Sequence, residues 1–182
     1  MAIPVRLRPR EVRQIREIAF DRYEPKKDID ESRVNGWAHT PEKRHYCGVL
    51  SEWAFAKYYG LQIDSKIYPR SDQGVDFRVR IDSEEFDSEV VDVDVKSSPT
   101  DDPELMVKMG EVDADYYVLS RFPGGVPQNE SECIVELVGG ATREMLLNRE
   151  PRESLKYGHE NYHVQPRYLL ELFETEAVEP LK

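Results

Sequence analysis

Charged side chains that could bind a metal ion alternate with valines in one short segment, Val90 to Ser98. The sequence VVDVDVKSS has the period-2 pattern of a strand with one buried face. Asp92, Asp94 and Lys96 would then share the opposite face. Two carboxylates and an ammonium group in such a place suit a divalent cation, because hard cations prefer carboxylate oxygens.

A second alternating segment, GVDFRVRI, precedes the first at residues 74–81. Its apolar residues fall on one face and its charged residues on the other: Val75, Phe77, Val79 and Ile81 against Asp76, Arg78 and Arg80. The polar residues between the two segments predict a turn, and therefore an antiparallel hairpin. If Ile81 pairs near Glu89, Asp76 lies opposite Asp94. The apolar faces then also match, although the turn length permits a shift of two residues.

A third acidic residue lies upstream, on a helix predicted from His45 to Tyr59 and ended by Gly60. Glu52 lies beside the apolar stripe of this helix. Gly48 and Ala56 are its neighbours one turn away on either side, and such small residues let another element approach the carboxylate. Glu52 is therefore suited to support acidic residues at the edge of a sheet.

Taken in chain order, these residues resemble the motif of the PD-(D/E)xK nuclease superfamily. The match comprises Glu52 in GVLSEWAFAKYYG, Asp76 in GVDF, and Asp94 with Lys96 in VDVKSS. The residue directly before the first acid is not a proline. The resemblance covers about residues 45–120. It implies an α/β (mixed α+β) fold in which a central mixed β-sheet is flanked by helices, with an αβββαβ restriction-endonuclease-like core.

The resemblance also implies a function, that of a Mg²⁺-dependent endodeoxyribonuclease that hydrolyses the phosphodiester bonds of DNA. Asp76 and Asp94 would bind Mg²⁺, or Mn²⁺ in its place, together with the backbone carbonyl of Val95. Glu52 would add a ligand, directly or through water. Lys96 would orient the attacking water or steady negative charge on the phosphate. Members of this superfamily often dimerise, so a homodimer is a further expectation.

Candidate contacts to nucleic acid lie next to these residues. Arg78 and Arg80 share the predicted face of Asp76, and their positive charge suits a phosphate backbone. The hydroxyl groups of Ser97 and Ser98 could also touch phosphate. The end of a strand before a proline explains the two serines equally well.

Two alternatives remain open at this point. An Asp-x-Lys sequence on a strand often forms a solvated face with a cross-strand ion pair, so the chain could be a non-catalytic, nuclease-like module that binds nucleic acid or protein. The second alternative is a zinc metalloprotease, because His159-Glu160-x-x-His163 matches the HExxH pattern. That chemistry needs both histidines on one helical turn, whereas the residues around His163 favour a strand.

The length of 182 residues predicts one domain, spanning residues 1–182. Its core would cover about residues 45–138, with an N-terminal helix (9–23) and C-terminal helices (141–148 and 167–174) as additions. We find neither an apolar run of membrane-spanning length nor a hydrophobic signal segment. Cys47 and Cys133 do not make a disulfide framework. We therefore expect a cytoplasmic protein without membrane contact.

The net charge of −11 is unusual for a protein that grips phosphates. The acidic residues are widely spread along the chain, and arginine outnumbers lysine. This pattern indicates adaptation to a halophilic cytoplasm, where concentrated salt screens long-range repulsion between like charges.

We expect the free energy of unfolding to be higher in molar KCl than in dilute buffer, because screening relieves the repulsion among the acidic side chains. Urea denaturation at about 0.05 M and about 2 M KCl would measure the difference. Equal or lower stability in the concentrated salt would contradict the halophilic interpretation.

Overall fold

The computed structural model of the chain describes residues 2–26, 40–63, 75–81, 90–153, 160–174 and 178–180. The helices in this part of the chain are α1 (Pro9–Tyr23), α2 (Pro41–Tyr59) and α3 (Arg143–Leu147). The strands are β1 (Ile3–Leu7), β2 (Phe77–Ile81), β3 (Val90–Ser98), β4 (Leu105–Lys108), β5 (Tyr116–Arg121), β6 (Cys133–Thr142), β7 (Arg152–Glu153), β8 (Glu160–Val164) and β9 (Val178–Pro180). The predicted N-terminal helix has the expected bounds.

The strands form two sheets. The larger has six strands in the order β1-β6-β5-β3-β2-β9, and the smaller has three in the order β4-β8-β7. Strands β3 and β5 run parallel, whereas β5 and β6 are antiparallel, so the larger sheet is mixed. The predicted mixed β-sheet with flanking helices is thereby confirmed. None of the described helices has both the length and the apolar composition needed to cross a lipid bilayer.

Both faces of the larger sheet are covered. Apolar residues of α1 and α2 pack on one face, and those of β4, β8 and α3 pack on the other. Strand β5 contributes alternately to the two cores, with Tyr116 and Val118 in the first and Tyr117 and Leu119 in the second. Burial on both faces explains why its sequence, YYVLS, is an almost continuous apolar run.

Helix α2 is delimited by local sequence signals at both ends. The side chain of Thr40 accepts a hydrogen bond from the backbone N–H of Lys43, and Pro41 occupies the first turn. Gly60 ends the helix in the left-handed conformation with φ of 68°. The helix predicted from His45 to Tyr59 is confirmed, and it begins earlier than expected, at Pro41.

The hairpin of β2 and β3 has the predicted register. Phe77 pairs with Val93 and Val79 with Val91, so the residue before β2, Asp76, lies beside Asp94. The alternation was nevertheless wrong for Val75, which packs against the second core and not beside Phe77. Val75 precedes the first paired residue of β2, so the ladder does not impose its side-chain direction. Glu89, used in the predicted register, lies outside the described residues.

The order of elements departs from an αβββαβ core at the crossover from β3 to β5. Residues 99–115 contain strand β4 where that core would have a helix. Leu105 and Val107 alternate with the exposed Met106 and Lys108, and the two apolar side chains enter the second core. Pairing of β4 with β8 satisfies the backbone of this segment without helical hydrogen bonds.

The helix predicted at residues 141–148 is correct only in its centre, because β6 continues through Gly139 and Gly140 to Thr142. Gly140 does not break the strand. A side chain on Gly140 would overlap the ring of Tyr116 on the paired strand, so glycine is needed there for close approach. Thr142 caps α3 by accepting a hydrogen bond from the N–H of Met145.

The C-terminal helix predicted at residues 167–174 is wrong. The structure has a 3₁₀ turn at Pro166–Tyr168 and no helix after it in residues 169–174. Leu170 forms an isolated bridge with Gly140, and the carbonyl of Phe173 accepts a hydrogen bond from the hydroxyl of Tyr59 at 2.9 Å. Tertiary partners thus take the backbone groups that a helix would have used.

A buried pair of hydroxyl groups joins α2 to the centre of the sheet. The hydroxyl of Ser120 donates to the Oγ of Ser51 at 2.6 Å, and the hydroxyl of Ser51 donates to the carbonyl of Cys47 at 2.9 Å. The Oγ of Ser120 also lies 3.4 Å from the carbonyl oxygen of Lys96. Both serines are fully buried. Their hydrogen bonds hold α2 at a fixed distance from the sheet, and Glu52 is the next residue of α2 after Ser51.

We expect Ser120→Ala to lower the free energy of unfolding by roughly 1–2 kcal/mol, because it removes a buried hydrogen bond. Ser51→Ala should cost a similar amount, and the double variant less than the two together, since the serines share one bond. Urea denaturation of all four proteins would measure this coupling. Strictly additive losses would contradict the link between α2 and the sheet.

Candidate functional site

Asp76 lies at the point where β2 begins. Its backbone N–H donates to the carbonyl of Val93 at 2.9 Å, which continues the ladder to β3 by one residue. Its carboxylate accepts a hydrogen bond from the backbone N–H of Val95 at 2.7 Å. The side chain is only partly buried, so the carboxylate is held against the edge of β3 while solvent still reaches the residue.

The carbonyl group of Val95 faces the same edge. In β3, the carbonyl of Asp92 points toward the β5 side and accepts a hydrogen bond from the N–H of Asp115. The carbonyl of the next residue, Val93, points the other way and accepts a hydrogen bond from the N–H of Asp76. Because main-chain directions alternate along a strand, the N–H and C=O of Val95 both point toward β2. The oxygen of Val95 is therefore directed to the side that holds the carboxylate of Asp76.

Asp94 and Lys96 form a close ion pair on β3. The Nζ of Lys96 lies 2.5 Å from an Oδ of Asp94. The side chain of Asp94 is only 4% exposed and that of Lys96 33% exposed, so the pair lies at the margin of the interior with the ammonium group on the outer side. Asp94 thus orients a cationic group that solvent, or a ligand, can reach.

The ammonium group of Lys96 remains charged at neutral pH. Burial by itself would lower the pKa of Lys96, but the charge and the hydrogen bond of Asp94, with the charge of Asp76, outweigh it and raise the pKa above its ordinary value. A lysine whose pKa is raised cannot take a proton as a general base near pH 7. Its chemical capacity here is to donate hydrogen bonds and to attract negative charge.

Glu52 is bound by an arginine that the sequence analysis did not single out. An Nη of Arg22, in the last turn of α1, donates to both carboxylate oxygens of Glu52 at 2.9 and 2.7 Å. The two side chains are 17% and 12% exposed. The small residues around Glu52 predicted the close approach of another element, and α1 is the element that approaches. The packing of α1 against α2 decides which element approaches Glu52.

The electrostatic environment of Asp76 links the four predicted residues. Burial raises the pKa of Asp76 well above its ordinary value, and the negative charges of Glu52 and Asp94 raise it further. The Val95 N–H and the charge of Lys96 act in the opposite direction but do not outweigh them. The charges of the other three side chains therefore all influence the pKa of Asp76.

The candidate contacts to nucleic acid differ in their exposure and in their partners. The guanidinium group of Arg78 binds Asp92 through two hydrogen bonds of 2.6 and 2.8 Å, which accounts for Asp92 as a cross-strand ion pair. Arg80 is exposed and Ser97 partly exposed. Ser98 is 6% exposed and its hydroxyl group lies 3.0 Å from that of Thr100, so it offers little surface to a phosphate.

The predicted metal ligands offer oxygen atoms, the donor type that Mg²⁺ prefers. Asp76 and Asp94 offer carboxylate oxygens and Val95 a carbonyl oxygen, and Mg²⁺ is commonly held by one or two carboxylates with the remaining positions open. Within the described part of the chain, no three His, Cys, Asp or Glu side chains gather closely enough to hold a metal among them. Any metal bound by the described residues would therefore have at most two such side chains as direct ligands.

The HExxH alternative conflicts with the local structure. Glu160 and His163 lie on strand β8, where residues three apart do not share a face, whereas zinc proteolysis requires a helix. The Nδ1 of His163 lies 3.2 Å from a carboxylate oxygen of Glu104, so this residue has a partner beside β4. His159 lies outside the described residues.

Comparisons with protein-family models, with curated proteins and with solved structures found no match to this chain. The interpretation of the site therefore rests on the contacts of its own residues.

We expect Asp76→Asn to raise the free energy of unfolding at neutral pH by roughly 1–2 kcal/mol in the presence of EDTA, because it removes a partly buried charge that Glu52 and Asp94 repel. The amide oxygen can still accept the hydrogen bond from Val95. Since folding raises the pKa of Asp76, the contribution of Asp76 to wild-type stability falls as the pH rises above about 4, and the gain should vanish below about pH 3.5.

Asp92→Asn is the matched control for this measurement, because Asp92 lies on the same hairpin but is compensated by Arg78. It should produce no such gain. Urea denaturation between about pH 3 and pH 8 would compare the three proteins. A loss of stability in Asp76→Asn at neutral pH would contradict the unbalanced charge assigned to Asp76.

Proposed function

We propose that this chain is a metal-dependent nuclease that hydrolyses the phosphodiester bonds of DNA. One observation carries the proposal: the carboxylate of Asp76 and the backbone of Val95 meet at one sheet edge, next to the ion pair of Asp94 and Lys96. Asp76 and Asp94 would hold Mg²⁺ or Mn²⁺ with the carbonyl of Val95. The order and spacing of these residues, with Glu52 on α2, resemble those of the PD-(D/E)xK nucleases.

The chain's own groups have separate tasks in this proposal. A bound Mg²⁺ supplies charge neutralisation at the phosphate and lowers the pKa of water. The ammonium group of Lys96, held by Asp94, donates to a phosphate oxygen or to the attacking water, and its raised pKa keeps it protonated. Glu52 contributes negative charge from the helical side. Catalysis would then depend mainly on positioning and electrostatic stabilisation.

A polyanionic substrate needs positive groups near these acids. The exposed Arg80 and Arg78 lie on β2, which begins next to Asp76. Both could contact a phosphate backbone that enters along this strand, although Arg78 would have to share its charge with Asp92. With a net charge of −11 on the chain, such local contacts would have to overcome a repulsive overall field. Activity should therefore tolerate salt better than that of a basic nuclease.

A non-catalytic module is the second candidate, and one observation favours it. Two of the three acids already contact a cationic side chain, Glu52 that of Arg22 and Asp94 that of Lys96. Such neutralisation could serve stability alone, in a nuclease-like fold that binds nucleic acid or protein without cutting. The two candidates differ in one property, hydrolysis that depends on a divalent cation.

We expect purified protein to cleave DNA with Mg²⁺ or Mn²⁺ and to lose this activity in EDTA. Lys96→Ala should lower kcat at least about 100-fold, because it removes the cation directed at the reacting phosphate. Gel assays on linear, circular and single-stranded DNA, with RNA as a further substrate, would measure cleavage at low and at molar salt.

Lys108→Ala is the matched control, since Lys108 forms an exposed ion pair with Glu111 on the second sheet. It should retain wild-type activity. Activity that survives Lys96→Ala would come from a contaminant. Absence of cleavage under every condition, with retained binding of DNA or of a protein, would favour the non-catalytic module.

A further inference from the structure

We propose that a cleft between α1, the first turns of α2 and the loop after β5 binds a small aromatic anion, an apolar ring that carries a carboxylate or a phosphate group. The cleft has a volume of about 390 Å³, which lies within the range of small-molecule sites, roughly 300–1,000 Å³. None of the described residues that line it belongs to the proposed metal site, so the inference does not depend on the proposed function.

Three separate elements bring the walls of this cleft together, and Arg16 contacts all of them. Phe20 lies four residues after Arg16, so both residues are on the same side of α1. The guanidinium group of Arg16 lies over the ring of Tyr46 on α2, with its Cζ 5.3 Å from the ring centroid. An Nη of Arg16 also donates a hydrogen bond to the carbonyl of Gln128 in the loop after β5. These contacts hold the cationic group beside the cleft.

The lining of the cleft carries more positive than negative charge. Two cationic side chains, those of Arg16 and Lys43, line it, against the single carboxylate of Glu42. Within the described part of the chain, neither cation forms an ion pair with a carboxylate. Arg13, one turn earlier on α1, is by contrast paired with Glu130 at 2.7 Å. In a chain with a net charge of −11, two cations left without a carboxylate beside one cleft favour an anionic ligand.

Two buried polar atoms of the lining residues lack a well-formed hydrogen bond within the described part of the chain. They are the hydroxyl oxygen of Tyr46, a residue that is 8% exposed, and the Nε of Arg16. Unpaired buried donors are costly, so their presence at one cleft points to an acceptor that the chain itself does not supply. The side chain of Arg16 is only partly buried, and a change of its rotamer can turn its N–H groups toward a carboxylate or phosphate oxygen.

Much of the remaining lining is apolar. Phe20 is 52% exposed, and Ala19, Val126 and Pro127 line the same cleft. An aromatic ligand would cover this surface and could pack its ring against that of Phe20, which removes apolar area from water on both sides. Apolar walls beside two cations suit a ligand that has both a ring and a negative charge, and not an inorganic anion or a hydrocarbon alone.

The test uses four probes that share one ring system and differ in charge. 1-Naphthoate and 1-naphthyl phosphate are anions, 1-naphthylmethanol is neutral, and 1-naphthylmethylammonium is a cation. We expect calorimetry in the presence of EDTA to show that at least one anion binds about ten-fold or more tightly than the alcohol, and that the cation binds most weakly, because hydrogen bonds to a charged acceptor are the stronger ones. The ratio between the two anions distinguishes a carboxylate from a phosphate ligand. Acetate and inorganic phosphate, which lack the ring, should bind at least about ten-fold more weakly than the corresponding naphthalene probe.

Two pairs of variants assign the binding to this cleft. Arg16→Gln should weaken the binding of the preferred anion at least about ten-fold and that of the alcohol less than about two-fold. Arg13→Gln is its matched control on the exposed side of α1 and should bind the probes as wild type does. Phe20→Ala should weaken the binding of all four naphthalene probes. Leu147→Ala, which changes an equally exposed residue that does not line the cleft, should leave their binding unchanged.

Thermal unfolding provides a second readout. Saturation with the preferred anion should raise the Tm of wild type and should raise that of Arg16→Gln less, while the scans without ligand show whether each variant is folded. Absence of binding by wild type, or equal affinity for the anions, the alcohol and the cation, would overturn the anion site, and this result needs no variant. Anion binding by a folded Arg16→Gln as tight as that by wild type would also overturn it. Cleavage of DNA with Mg²⁺ tests the proposed function separately, since it depends on Lys96 and not on this cleft.

Discussion

The antiparallel pairing of β2 with β3 is the constraint on which the rest of the site depends. Because Phe77 pairs with Val93, Asp76 comes to the edge of β3, and the Val95 N–H can hold its carboxylate at 2.7 Å. A shift of one residue would turn the valines of β3 out of the first core and bring its charged residues in. Burial of an apolar face therefore determines where the acids are placed.

Compensation of charge is the second principle of the site. Lys96 neutralises Asp94 and Arg22 neutralises Glu52, whereas Asp76 is held by a backbone N–H. A neutral donor stabilises a carboxylate less than a cation does, so the electrostatic cost is concentrated on one residue. That residue is also the one to which the proposed function assigns a divalent cation.

Periodic burial made part of this structure predictable. The alternation in β3 and β2 indicated both the strands and their register, and the helical spacing around Glu52 indicated α2. The errors occurred where tertiary partners override local signals. Gly140 continues a strand because the ring of Tyr116 lies over it. Residues 169–174 do not form a helix, because their backbone groups form hydrogen bonds with Tyr59 and Gly140.

The sequence by itself determined the acidic and basic residues, their order on helix, strand and strand, and the register that brings Asp76 to Asp94. These follow from alternation, which is a local property that one buried face makes unambiguous. Only the tertiary structure decided that Arg22 of α1 meets Glu52, that Ser120 joins Ser51, and that Val75 turns to the second core. The first two contacts join residues that are distant in the chain, and Val75 lies outside the paired residues of β2 and β3. No periodic pattern encodes which surfaces pack together.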